Sequence, residues 1–338
     1  MGYVFVLSRR DRRLPPQLRN CLQILGIALA FFAAGRIGWL LAGPPVGEQS
    51  SLLWLPAGVG VTALLVMGIR TWPGIALGAF LFHLSIVPPA AAAAITAGTT
   101  LAAVCAWVLL RWMRFRLELD RLRDALALVL GAAFAAMLVN ASVGTATLVL
   151  LGLEPERTAW AIWTQWWASD VMGVLVVTPL LLVARTIHRP ATIRPARALE
   201  VVALLVGTAS AMLVATSGLN LLFLAFPFLI WAALRFQLAG VAPCALIVSN
   251  FAAHTAVRAQ GAFAGRDLLE NMIILQLFNG VVVLSALLMA AVITQWLNSR
   301  EEIECTAVRL GQVIDHLERR KVALTPDIAA SRDASTRA

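Results

Sequence analysis

The sequence predicts an all-α, polytopic integral membrane protein, a helical bundle of about ten transmembrane helices. Of the 338 residues, 60% are hydrophobic and 13% are charged, and the mean hydropathy is +0.83. A soluble domain has roughly 45–50% apolar residues, so this excess predicts apolar segments along nearly the whole chain. With so few charged residues, no sizeable water-soluble domain is expected.

Ten segments are candidate spans, because a helix crosses the hydrocarbon core with about 20 residues. They cover residues 18–41, 52–70, 72–87, 90–111, 122–150, 158–185, 198–216, 219–235, 237–257 and 268–298. The third and eighth are the shortest, and if both are re-entrant the number of spans is eight. The run after the basic segment 1–17 is too long for a signal peptide and lacks a cleavage site, which favours an uncleaved first span.

The arginines predict the orientation, because basic residues collect in cytoplasmic loops. With a cytoplasmic N-terminus, the cytoplasmic side holds the whole C-terminal tail and Arg9, Arg10, Arg12, Arg13, Arg19, Arg70, Arg111, Arg114, Arg116, Arg121, Arg123, Arg185, Arg189, Arg194, Arg197 and Arg235. Only Arg157, Arg258 and Arg266 fall outside. This favours an even number of spans with both termini cytoplasmic. It also explains the net charge of +9 by topology, with the lipid bilayer as the partner and no nucleic acid.

The second and third segments are marked by tryptophan, proline and glycine. Trp54 and Trp72 are eighteen residues apart, about 27 Å along a helix, which predicts that they lie in the two interfacial belts. Pro56 then falls in a first helical turn, where a missing donor costs little. Gly74 and Gly78 have the small-x-x-x-small spacing of closely packed membrane helices.

Beyond the membrane sensor region predicted over 18–298, the chain has two further parts. Apolar residues recur there in a heptad-like pattern, at Ile303, Ala307, Leu310, Ile314 and Leu317. We expect a short cytoplasmic helix over 299–321. The polar residues 322–338 are expected to be disordered.

A few polar side chains fall inside the predicted spans, where they are costly and by default mark function. They lie at the middle or outer depth of the spans, which predicts a cavity that meets a small molecule or responds to the membrane. The candidate binding residues are Arg36, His83, Asn140, Asp170, His254 and Gln276. The alternative is structural, with Arg36 and Asp170 as an ion pair and the others as hydrogen bonds between helices.

Four tryptophans precede Asp170 at the start of the sixth segment, namely Trp160, Trp163, Trp166 and Trp167. Such a group is typical of an interfacial belt. The alternative is an aromatic lid over a ligand.

No motif for catalysis, metal or cofactor binding is present. The sequence lacks the G-x-x-x-x-G-K-[ST] phosphate loop, the H-E-x-x-H zinc motif and the G-x-S-x-G nucleophile elbow. The four cysteines are scattered, without a pair at ligand spacing. We therefore expect no enzyme activity and no cofactor.

Four motifs in order resemble the membrane-associated sensor domain of the first type, of the MASE family, in bacterial signalling proteins. They are WLPAG at 54–58, TWPGIALGAF at 71–80, WWASDVMGVLVVTPLLL at 166–182 and FPFLIWAALRF at 226–236. The matching positions are Trp54, Pro56, Gly58, Trp72, Pro73, Asp170, Gly173, Pro179, Pro227, Trp231 and Arg235.

The resemblance implies a sensory input domain of the bacterial inner membrane, whose C-terminal helix relays a signal to an output. Such domains are usually fused to a histidine kinase, or to a diguanylate cyclase or phosphodiesterase of cyclic di-GMP signalling. The sequence has no such module after the last span, so the expectation is a free-standing sensor with a separate output, or the input part of a longer protein. A homodimer through the C-terminal helices is a further expectation. The alternative function is a transporter or permease component, because interrupted helices with polar residues at mid-depth also occur there.

Overall fold

The computed structural model describes residues 15–42, 53–186, 195–216, 221–258, 260–266 and 268–335. Every regular element among them is helical, which confirms the all-α class. Most of the basic segment 1–17 lies outside the described residues. The helices are α1 Pro16–Ala42, α2 Leu55–Met67, α3 Trp72–Leu84, α4 Pro89–Trp112, α5 Leu122–Leu126, a π-helical segment Ala127–Ala135, α6 Ala136–Leu150, α7 Ala159–Thr186, α8 Pro195–Thr216, α9 Ala225–Val257 and α10 Leu268–Ser335.

Each of the ten predicted segments corresponds to a helical stretch, and a multi-pass membrane protein is confirmed. Among the described residues, seven helices are long and apolar enough to cross a membrane. α2 and α3 have 13 residues each, about 20 Å, which is shorter than a hydrocarbon core of about 30 Å. The number of crossings between seven and ten therefore stays a prediction.

The interruption between α2 and α3 is caused by a glycine. Gly68 has φ +88°, a left-handed conformation that an L side chain rarely adopts, and α2 ends there. Trp54 and Trp72 flank opposite ends of α2, and their placement in two interfacial belts stays a prediction. Trp72 is 47% exposed, but Trp54 is half-buried with its ring 5.1 Å from the ring of Phe82.

α9 is two helices joined at Gln237, whose φ of 47° and ψ of −136° are not helical. A Cβ added at Gly240 would lie 3.1 Å from the carbonyl oxygen of Ala232. Residues eight apart in a straight helix are about 12 Å apart, so the chain folds back at Gln237. This reversal lies at the predicted boundary between segments 219–235 and 237–257.

The fifth predicted segment is one continuous helical stretch with a change of winding inside it. Nine residues, Ala127–Ala135, are π-helical between α5 and α6. π-Helical turns are rare and frequently lie at functional sites. The stretch places α5 at one end of the bundle and α6 at the other.

Glycines set the closest helix contacts on the α1 side. A Cβ added at Gly74 would lie 2.6 Å from the carbonyl oxygen of Ile24, and one at Gly78 would lie 2.5 Å from that of Ala28. The predicted close packing of Gly74-x-x-x-Gly78 is confirmed, with α1 as the partner. The later residue on α3 contacts the later residue on α1, so the two helices are parallel.

Several helices begin or end together at one end of the bundle. α3 and α5 begin there and α4 ends there. This end carries Arg70, Arg111 and Arg121, and we call it the basic end. The Leu122 amide donates to Gln295 Oε1 at 3.5 Å, which brings α10 to that end. α1 begins there too, so the described chain enters and leaves the bundle at one end.

α10 continues without a break from Leu268 to Ser335. The helix predicted over 299–321 is thus an extension of the last membrane helix. The helix includes residues through Ser335, and 336–338 lie outside the described residues. The disorder of 322–338 stays a prediction.

Candidate functional site

α2 and α7 each contain one of the four motifs, and their backbones are in contact where the two helices cross. The Trp54 amide donates to the Ser169 carbonyl oxygen at 3.1 Å. A Cβ on Gly173 would overlap the Trp54 carbonyl, and a Cβ on Gly58 would overlap the Gly173 carbonyl. Because no side chain fits between them, the segments WLPAG and WWASDVMG form a single packing unit.

A polar network extends from this crossing to two further helices. Asp170 on α7 is 2% exposed, and its Oδ2 accepts a hydrogen bond of 2.7 Å from Asn140 Nδ2 on α6. The Thr99 hydroxyl on α4 lies 3.0 Å from Asn140 Oδ1 and also 3.0 Å from the Ile95 carbonyl oxygen. Its single proton serves one of them at a time, so the network joins α4, α6 and α7 with one adjustable donor.

The cavity beside this network is small. Its volume is about 10 Å³, room for roughly one water molecule and far below the several hundred Å³ of a ligand pocket. It is lined by Phe31, Pro56, Ala57, Gly60, Thr99, Ala102, Ala103, Met137, Asn140 and Asp170. The predicted candidates Asn140 and Asp170 are thus brought together, beside Pro56 of the α2 motif.

His83 lies one layer from the cavity. It is buried at the end of α3, and its Nδ1 is 3.3 Å from Thr96 Oγ1. Its ring stacks on Trp54 at 6.4 Å between centroids. The predicted residue His83 therefore contacts the α2 motif through Trp54, and it does not line the cavity.

Arg36 is not part of the site. It is exposed on α1, with its guanidinium 5.4 Å from the ring centroid of Phe32. The alternative of an Arg36–Asp170 ion pair is wrong, since the described partner of Asp170 is Asn140. α1 packs mainly on α3 and α2, so an arginine on its outer face extends towards the polar boundary of the membrane.

His254 and Gln276 also lie apart from the network. His254 is exposed on α9, and Gln276 is half-buried on α10. Neither lines the cavity. The structure thus divides the six predicted residues into a central pair, one neighbour and three outlying residues.

The tryptophans at the start of α7 form a ladder. Trp160 stacks on Trp163 at 5.2 Å, and Trp163 stacks on Trp167 at 6.0 Å. Trp163 Nε1 donates to Ser142 Oγ, and Trp167 Nε1 donates to the Phe134 carbonyl oxygen, both at 3.0 Å. The ladder fastens α7 to α6 and to the π-helical segment just beyond Asp170.

The remaining motif residues do not join the α2–α7 crossing. Pro179 is buried within α7, and Pro227 and Trp231 are exposed on the first half of α9. Arg235 Nε contacts Glu200 Oε1 of α8 at 2.6 Å, on an exposed surface. Among the motif positions, those of α2 and the first half of α7 meet at the crossing, and Arg235 contacts α8.

Three buried polar residues were missed in the sequence. Ser249 on α9 and Asn271 and Asn279 on α10 are at most 3% exposed. Ser249 Oγ and the Oδ1 atoms of Asn271 and Asn279 have no hydrogen-bond partner. The spacing of eight between the two asparagines, which places them on one helix face, was the available signal.

Among the described residues, no three His, Cys, Asp or Glu side chains are grouped so that they could hold a metal ion. The network holds one carboxyl, one amide and one hydroxyl. These groups form hydrogen bonds that join α4, α6 and α7.

No curated protein and no solved structure matches the chain. The family model MASE1 matches residues 23–296, which covers the whole bundle, the α2–α7 crossing and the polar network. MASE1 is a family of membrane-associated sensory domains. The chain therefore belongs to the MASE1 family and is an integral membrane sensory domain.

Proposed function

We propose that this MASE1 domain senses a small ligand or the state of the membrane at the Asp170–Asn140–Thr99 network and relays the change to a signalling output. The observation that carries the proposal is the position of Asn140. It lies at the network, on the helical stretch whose other end bonds to α10. A change at the network is therefore applied to the helix that leaves the membrane.

The small cavity couples occupancy to movement. With a volume of about 10 Å³, the site accepts nothing larger than a water molecule unless α2, α6 or α7 moves. An occupant that binds the displaced packing better than the resting one shifts the population between them. The Thr99 hydroxyl can donate to Asn140 Oδ1 or to the Ile95 carbonyl oxygen, so the network can rearrange without leaving this donor unpaired.

The π-helical segment is the adjustable part of the relay. Between Asn140 and Leu122 the chain passes through Ala127–Ala135. Conversion of one π turn to α-helix removes one residue from that turn, which rotates and shifts one end against the other. At the basic end, this motion acts on the bond from Leu122 to Gln295.

The output is the extension of α10. Its heptad positions Ile303, Leu310 and Ile314 are more than half exposed, as expected of a coiled-coil seam. We propose a homodimer through this seam. The output that receives the signal is a histidine kinase or a diguanylate cyclase, either a separate protein or fused to the chain. The arginines at the basic end support a cytoplasmic location of this extension and a bacterial inner membrane as the site of action.

The relay is tested without a known ligand by measuring the seam. Spin labels at Leu310→Cys, in a variant whose native cysteines are replaced by serine, report the distance between protomers in nanodiscs. Asn140→Leu should change the distance distribution, and Gln295→Leu should abolish that change. Asn20→Leu is the matched control, because Asn20 is exposed at the start of α1 and lies outside the network, and it should leave the distribution as it is.

An unchanged distribution in Asn140→Leu would reject the relay.

A second experiment addresses the output: affinity capture of the full chain from native membranes should recover a kinase or cyclase that a chain ending at Ser299 does not. Recovery by both chains, or by neither, contradicts an output carried by the α10 extension. Solute accumulation by proteoliposomes would favour a transporter instead.

A further inference from the structure

A groove of about 500 Å³ lies between α3 and α4, on the outside of the bundle. Alanines on both helices form its floor, Ala76, Ala93 and Ala97. Trp72 and Leu101 line it as well, and each is about half exposed. A volume of this size is within the range of ligand pockets, and its lining is that of a site for an apolar chain.

One cation lies next to this groove in the chain. The Thr100 side chain also lines the groove and is 9% exposed, with its hydroxyl oxygen buried. Arg70 is exposed and lies in the chain between two groove residues, Ile69 and Trp72.

The groove runs from mid-bundle to the basic end. Thr96, Thr100 and Val104 follow one face of α4 at successive turns of about 6 Å. Ile69 and Trp72 lie where α3 begins, at the basic end. Arg70 is therefore adjacent in the chain to the groove residues at the basic end, and the alanine floor lies on the outside of the bundle.

We propose that one acyl chain of an anionic phospholipid occupies this groove. Its phosphate pairs with Arg70. Charge favours this occupant, because basic side chains at the cytoplasmic boundary attract anionic head groups. Trp72 is suited to the same boundary, where tryptophan is enriched.

The occupant contacts a residue that is tied to the sensory site. Thr96 lines the groove and is hydrogen-bonded to His83, which stacks on Trp54 of the α2 motif. Filling the groove therefore changes what Thr96 touches. The lipid is thereby the input of the sensor, a conclusion that rests on the proposed function. Binding of the lipid in the groove does not depend on that function.

The test uses the full chain in nanodiscs that contain a lipid with a photoactivatable, alkyne-tagged acyl chain. The probe is made with a phosphatidylglycerol head and with a phosphatidylcholine head, and labelled peptides are located by mass spectrometry. The expected result is labelling of groove residues on α3 and α4, with phosphatidylglycerol preferred by about fivefold, as one arginine supplies.

Matched variants separate a built site from general lipid contact. Ala97→Trp fills the floor and should reduce groove labelling at least about fivefold. Ala30→Trp places the same side chain at an exposed alanine of α1 and should leave it as it is. Arg70→Gln should remove the head-group preference.

Several results overturn the proposal. They are even labelling around the bundle, equal labelling by both head groups, displacement of the probe by free fatty acid alone, or cross-links across α3 and α4 between two copies of the chain. Groove labelling together with an unchanged α10 seam in Asn140→Leu would reject the relay and leave the lipid site in place. An α10 response without groove labelling would do the reverse.

Discussion

The α2–α7 crossing and the α9–α10 interface are both buried, but they are built in opposite ways. At the crossing, Gly58 and Gly173 bring two backbones into contact, and Asp170 is paired with Asn140. At the α9–α10 interface, Ser249 and Asn279 are buried with polar atoms that have no partner.

The difference shows that the helix geometry is fixed at the α2–α7 crossing, whereas the α9–α10 interface contains buried polar atoms without hydrogen-bond partners. A crossing made by glycine has no side chain that can rotate to relieve strain, so its geometry is set by the backbone. Buried oxygens without partners favour other arrangements of α9 and α10 in which they are bonded. The first region is suited to hold the network, and the second is suited to move.

The largest contrast is expected from glycine substitutions. Gly173→Ala places a Cβ against the Trp54 carbonyl and should destabilise the protein by at least about 3 kcal/mol. Gly280→Ala on α10 meets nothing within 4 Å and should stabilise by about 0.5–1 kcal/mol. Thermal unfolding in one detergent measures both, and equal melting temperatures would contradict the backbone contact.

The same substitution at two asparagines should give opposite signs. Asn140→Leu removes the described partner of Asp170 and should cost about 2 kcal/mol, because a buried carboxyl loses its donor. Asn279→Leu removes an unpartnered oxygen and should be neutral or stabilising. The midpoints of thermal unfolding show this, and a loss of stability in Asn279→Leu would mean that the asparagine is bonded.

A smaller effect is expected in the tryptophan ladder at the crossing. Trp163→Phe loses the hydrogen bond to Ser142 and should cost about 1 kcal/mol. Trp160→Phe keeps a ring at a position that is 72% exposed and should change stability by less than about 0.5 kcal/mol. If Trp160→Phe is the more harmful variant, the ladder does not fasten α7 to α6.

The smallest effect is expected at Arg36, outside both regions. Because Arg36 is exposed, Arg36→Gln should stay within about 0.5 kcal/mol of the original protein. Breaking a buried ion pair would cost about 3–5 kcal/mol, so a loss of that size would restore the pairing with Asp170. Unfolding in detergent and in nanodiscs distinguishes the two.

The positions of the segments followed from the sequence because length, proline and glycine are local signals. Gly74 and Gly78 pack closely as their spacing indicates, and Asp170 and Asn140 meet because few polar groups compete for each other in an apolar bundle. Even the reversal at Gln237 fell at a predicted boundary.

Which side of each helix faces the interior of the bundle could not be predicted from the sequence, for a physical reason. In lipid the outer face of a helix is as apolar as the inner one, so α1 and α9 carry no amphipathic stripe that would have placed Arg36 or His254 outside. The break at Gly68 and the π-helical winding depend on tertiary packing as well. The distance of about 27 Å between Trp54 and Trp72 assumed one unbroken helix, which Gly68 interrupts.

The short helices α2 and α3 have a mechanical consequence for the surrounding bilayer. A hairpin about 20 Å long in a layer about 30 Å thick creates hydrophobic mismatch, which lipids relieve by local thinning at a cost per ångström. α1 and α4 shield part of the hairpin, but Trp72 stays uncovered. We therefore expect the bilayer to be thinner on the α3 side of the bundle, with an elastic cost that varies with the thickness of the membrane around it.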